Sequence, residues 1–135
     1  MNVQVLRLAP GDDLRAVLET AFADLSKRHG IAAACIVSAV GSLSRAVLRY
    51  ADKTSGTDIN EPVELLMLSG TLSADGAHLH GSVADANGAM RGGHIMPGCI
   101  VRTTAEVVVA LLPGWEFRRE LDAATGFNEL SARPQ

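Results

Sequence analysis

Apolar residues recur at a spacing of three to four in one stretch of the chain and at a spacing of two, or in short unbroken runs, in most of the rest. Leu14, Val17, Leu18, Ala21, Phe22 and Leu25 mark one face of a helix that Asp12 would cap and that His29-Gly30 would end with a basic last turn and a glycine stop. His29 is read there as a favourable charge at the helix end. Val3 and Val5 alternate with Gln4 and Leu6 in a first short strand that ends at Pro10-Gly11. From Ile31 to Ala51 the pattern is strand-like, and a bend or bulge at Gly41-Ser42 divides it into two expected strands. Asp52 to Glu61 is polar and aperiodic, which predicts a mobile surface loop. Val63–Leu72, the β-branched run Thr103–Leu112 and the short stretch Trp115–Arg119 predict further strands, with Gly126–Leu130 as an ordered tail. Strands joined by short turns, with one principal helix near the N-terminus, imply a single α+β domain over residues 1–135, built on a mostly antiparallel sheet.

The stretch His78-Leu79-His80-Gly81-Ser82-Val83-Ala84-Asp85-Ala86-Asn87-Gly88-Ala89-Met90-Arg91-Gly92-Gly93-His94 holds three of the four histidines. Residues two apart on a strand share a face, so His78 and His80 present two imidazoles side by side while Leu79 and Val83 face a core. Asp85-Ala86-Asn87-Gly88 is turn chemistry, and the turn decides where His94 goes. A two-residue turn at Asn87-Gly88 sets His94 opposite Gly81, on the wrong face. A three-residue loop with Gly88 in the left-handed conformation pairs Asp85 with Ala89, and therefore His94 with His80. Asp at the first turn position and Gly at the fourth favour this second register, and Gly92-Gly93 would admit a close backbone or ligand. Imidazoles suit zinc or another divalent transition metal, and three protein ligands leave the fourth tetrahedral position open to water or a small ligand. The alternative is a set of solvated surface histidines.

Composition narrows the classes. At 135 residues with 47% hydrophobic content the chain can bury a core, and a net charge of −3 gives no electrostatic footprint for nucleic acid. Cys35 and Cys99 lie in apolar surroundings without a signal-peptide pattern, which points to buried free thiols and a cytoplasmic location. No apolar run is long enough to span a membrane. Neither a nucleotide-binding motif nor a nucleophile signature around Ser82 or Cys35 is present.

Arg7-Leu8-Ala9-Pro10-Gly11-Asp12-Asp13-Leu14, Ser38-Ala39-Val40-Gly41-Ser42-Leu43, Glu64-Leu65-Leu66-Met67-Leu68-Ser69-Gly70-Thr71-Leu72, His78-Leu79-His80, Gly92-Gly93-His94 and Thr104-Ala105-Glu106-Val107 occur in that order. Together they resemble the PPC domain, the plants and prokaryotes conserved family, over nearly the whole chain. The resemblance implies an α+β domain that assembles as a homotrimer, with a metal, usually zinc, held by His78, His80 and His94. It implies no defined reaction. Plant relatives carry AT-hooks that enter the DNA minor groove; this chain has none, and its only Arg-Pro is Arg133-Pro134, which weighs against DNA as a partner.

Three functions therefore compete: a metal-binding trimer whose open position takes a small ligand, a DNA-associated regulator, and an assembly domain that the metal merely stabilises. Glu106 and Glu64, carboxylates in otherwise apolar strands, are candidates to orient a ligand histidine or act as a general base, or else are outward-facing. Arg118 and Arg119 are expected in surface or intersubunit ion pairs. One helix cannot screen all the apolar strand residues (Val47, Leu48, Leu65, Met67, Val107, Val109, Leu111), so self-association through the uncovered sheet face is expected.

Overall fold

The computed structural model describes residues 2–135. The chain runs β1 (Asn2–Leu8), α1 (Leu14–His29), β2 (Ala34–Arg49), β3 (Thr57–Ile59), β4 (Val63–Ser73), β5 (Gly76–Ala84), β6 (Met90–Ile95), β7 (Ile100–Leu111), β8 (Trp115–Leu121) and β9 (Asn128–Pro134). The pairings between these strands are antiparallel, and the α+β architecture with its helix near the N-terminus is the one the residue pattern implies. The main sheet has the order β1-β7-β2-β4-β5-β6, with β3 added to β2, while β8 and β9 form a separate hairpin.

Where two strands were expected around Gly41-Ser42, β2 is one strand that bends. Its register against β7 slips between Ile36 and Ser38, between Gly41 and Leu43, and between Leu43 and Arg45. Each slip adds twist without breaking the strand. Gly41 permits the tightest approach, since a Cβ there would lie 2.4 Å from the carbonyl oxygen of Thr104. The bend lets the first part of β2 pair with β4 and its last residues with β6, through Leu48↔Ile95 and Arg49↔His94. Strands β2, β4, β5 and β6 thereby close a circuit.

Helix α1 buries Leu14, Leu18, Phe22 and Leu25, the apolar stripe of the sequence. Its cap is Asp13 and not Asp12. Asp13 Oδ1 accepts from the Ala16 N–H at 3.0 Å, and its Oδ2 accepts from the Gly98 N–H at 2.7 Å, so one carboxylate ties the helix start to the β6–β7 turn. Asp12 instead accepts from the Ala9 N–H. At the other end Gly30 takes a left-handed conformation (φ 66°) and donates to Ser26.

The polar stretch 52–61 is not a free loop. Thr57–Ile59 pairs with β2, Ile59 is buried, and Arg45 holds Asp58 by two hydrogen bonds of 2.9 and 2.7 Å. A single buried apolar residue leaves no period to read, which is why the sequence concealed this strand. The expected exposed sheet face is also composed differently. Leu48, Leu65, Val107 and Val109 are core residues, and of the seven named only Met67 is classed as exposed; its exposed neighbours on the strands are Val3, Val5, Val37, Val40 and Leu66. The β-bulge between Leu65 and Met67 shifts the alternation on β4, leaving both Leu66 and Met67 outward and Leu68 inward.

Both cysteines are free thiols. Cys35 is half-buried, and Cys99 is fully buried, where it accepts from the Val47 N–H at 3.3 Å and burial raises its pKa. Among the described residues no helix is long and apolar enough to cross a membrane.

Candidate metal centre

The β5–β6 hairpin sets the site. Gly88 sits at φ 77° and donates to the Asp85 carbonyl at 2.9 Å, the Asp85 N–H donates to Ala89, and Asp85 Oδ1 accepts from both Asn87 and Ala89. This is the three-residue loop with a left-handed glycine, and it places His80 directly opposite His94. His78 lies two residues back on β5, on the same face. The three ring centroids are 5.0, 5.1 and 5.5 Å apart, and each histidine offers a nitrogen within 4.8 Å of the others. Nitrogens about 2.0–2.1 Å from a tetrahedral zinc stand roughly 3.4 Å apart, so modest ring rotations bring these donors to ligand spacing.

The surroundings favour the neutral forms of His94 and His78. Burial holds His94 down at a pKa of about 4, helped by the charges of Arg49, His78, Arg15 and His80. Burial likewise lowers His78, with Arg119 and His80 adding to it and Glu129 opposing. A neutral imidazole is the form that ligates metal. His94 Nε2 lies 3.4 Å from Arg15 Nη1, at the long end of hydrogen-bond range. Nδ1 is buried and has no hydrogen-bond partner among the described residues. A lone pair on this unpartnered nitrogen is free to take a cation, and the donor set fits a borderline-soft divalent ion.

Arg15 and Glu19 of α1 brace the hairpin from below. Arg15 bonds Glu19 Oε1 at 3.0 Å and the Ile95 carbonyl at 3.2 Å, and the same Glu19 oxygen accepts from the Ala77 N–H at 3.0 Å. The histidines open into a cleft of about 950 Å³ whose lining includes Arg49, Tyr50, Lys53, Arg119, Phe127 and Glu129. Sequence reasoning missed most of these, because they reach the cleft from β2, from the turn after it and from the β8–β9 hairpin. Of the expected ion pairs, Arg118 meets Asp75 and Glu116, and Arg119, turned toward the cleft, lies 3.9 Å from Glu129 and bonds the Asn128 carbonyl. Glu106 and Glu64 lie elsewhere. Both are exposed, Glu106 opposite Arg7 and Val40 and Glu64 opposite Ser42 and Ala84, and neither lines the cleft. The alternating pattern that made them look buried belongs to a sheet whose other face is open.

The chain is similar to known proteins. The bifunctional protein GlmU of Synechococcus sp. (strain JA-2-3B'a(2-13)) is 47% identical over 134 residues, which cover 99% of this chain and 21% of that protein. The chain thus spans about a fifth of the curated relatives it matches. A solved protein from Salmonella enterica superposes with a TM-score of 0.91 at 40% identity, covering 99% of this chain and 94% of the other. A protein from Archaeoglobus fulgidus, described as metal-containing, gives 0.79 at 31% identity over 97% and 94% of the two chains. One from Bacteroides thetaiotaomicron, described as a supposed DNA-binding protein, gives 0.78 over 96% and 91%, and at 20% identity it shares the fold alone. The profile of the Plants and Prokaryotes Conserved (PCC) domain matches residues 1–113, most of the chain, and this protein belongs to that family.

Proposed function

We propose that the protein is a metal-binding homotrimer in which His78, His80 and His94 hold one divalent transition metal per chain, zinc in the first instance, with a coordination position left for a small ligand. One observation carries the reading: three imidazoles converge from a single hairpin, and the buried Nδ1 of His94 lacks any other partner. The metal-containing relative from Archaeoglobus fulgidus supports it. Bound metal would supply a Lewis acid able to acidify a ligated water. The protein's own part is to keep His78 and His94 neutral and to brace His94 through Arg15. The exposed row of Val3, Val5, Val37, Val40, Leu66 and Met67 supports self-association, and three-fold closure follows the family resemblance. DNA is not the favoured partner, since a net charge of −3 supplies no counterpart to the phosphate backbone.

Elemental analysis of protein purified without added metal should give about one ion per chain. His80→Ala should remove it, and the exposure of His80 makes a folding defect an unsuitable explanation for the loss. Wild-type metal content in that variant would show that these histidines are not the ligands.

A further inference from the structure

Resting on the metal reading above, we propose that the cleft beside the histidines binds the oxyanion head group, phosphate or carboxylate, of a small organic molecule, and that Arg49 is its principal recognition residue. The argument is one of placement. Arg49 is the cross-strand partner of His94 and His94 is that of His80, so Arg49, His94 and His80 form one row across β2, β6 and β5. Directly opposed residues share a face. The backbone enforces this neighbourhood, because a Cβ on Gly93 would lie 2.7 Å from the carbonyl oxygen of Arg49; only glycine lets the two strands approach so closely. Lys53 joins the same cleft from a turn closed by its N–H donating to the Tyr50 carbonyl at 3.2 Å.

The charges of this cleft are unequally satisfied. Arg15 is held by Glu19, and Arg119 by the Asn128 carbonyl and, at 3.9 Å, Glu129. Arg49 and Lys53 have no carboxylate within salt-bridge distance among the described residues. Asp52 is the counterweight, but it is exposed in the turn, where solvent screens it. An unpaired guanidinium beside three imidazoles makes a concave positive surface, and a divalent ion on those imidazoles would strengthen it. An oxyanion meets both demands, with one oxygen on the metal's open position and another on the planar fork of Arg49. The cleft, at about 950 Å³, is larger than an inorganic ion needs, and Tyr50 and Phe127 offer apolar wall to an organic body.

The full chain loaded with cobalt(II), its metal content measured first, provides the test. Inorganic phosphate and acetate are titrated separately, read by the visible spectrum of the cobalt and by calorimetry, so the two arms distinguish the head groups. At least one should bind and change the spectrum. Arg49→Met should keep one metal per chain and weaken binding roughly ten- to a hundredfold, as loss of a charge-assisted hydrogen bond implies, and Arg49→Lys should recover part of it. Equal binding by wild type and Arg49→Met would overturn the inference, as would a metal-loaded wild type that bound neither anion; in both cases a measured metal per chain leaves the metal reading standing. A wild type that took up no metal would bring down both.

Discussion

His94 links the site's chemistry to stability. In the folded chain its pKa is about 4, against 6.5 when unhindered, so between those values the unfolded state binds the extra proton and the folded state does not. Stability must then rise with pH across that window, being fully present above about 6.5 and lost as the pH falls toward about 4, and His78 is shifted in the same direction. Urea midpoints of chelator-treated protein should fall on going from pH 7.5 to pH 5. His94→Gln, which lacks the group, should show a shallower fall over the same range. An unchanged slope would mean that His94 is not buried in its neutral form. The three clustered histidines were legible in the sequence because they lie on one hairpin, where the turn residues Asp85 and Gly88 determine the register. Arg49, Arg15 and Arg119 were not. Each arrives from a different element, and nothing in its immediate neighbours announces the encounter.

The elements themselves were written in two kinds of signal, periodicity and turn chemistry, and the structure departs from expectation where one of these is weak. Helix α1 and the hairpin carried both. Strand β3 carried neither, and the bend in β2 looked like a terminus because a glycine that permits close approach reads the same as one that ends a strand. The same ambiguity sets up a comparison between two glycines with positive φ. Gly70, at φ 143°, would set a Cβ 2.0 Å from the carbonyl oxygen of His78, whereas Gly88, at φ 77°, faces open space. Gly70→Ala should therefore cost roughly 2–3 kcal/mol and weaken metal retention, because β5 has to shift away from β4. Gly88→Ala should cost about 1–2 kcal/mol, the penalty of the left-handed backbone alone, and keep its metal. Denaturant titration with metal analysis of both variants separates the two effects, and equal metal loss in both would show that strand spacing at Gly70 does not position the histidines.

At the scale of the whole molecule the open side of the sheet is the dominant unfinished surface. Val5 is 65% exposed and Met67 63%, values that single residues often reach but that a contiguous apolar row on a monomer seldom does. Sedimentation equilibrium should give three times the 14.2 kDa chain mass, with and without chelator, and Val40→Glu should dissociate the assembly by placing a charge in the exposed apolar row, where association would have to desolvate it. A monomer under both conditions would reject the trimer, and dissociation by chelator alone would assign its stability to metal and not to apolar burial. The hairpin has one more implication, for the order in which the molecule comes together. All three clustered histidines lie within seventeen residues, while β1 must wait for β7 at the far end of the chain before it can pair. Closing so short a loop takes microseconds and costs little entropy, whereas the distant pairing is slow. The candidate metal-binding set can therefore assemble in a chain that has formed only this hairpin, and metal present during refolding should speed the folding limb of a stopped-flow chevron as well as slow unfolding. If it altered unfolding alone, the ion would be a late guest of the finished sheet; acceleration of folding would make it a template on which the sheet is built.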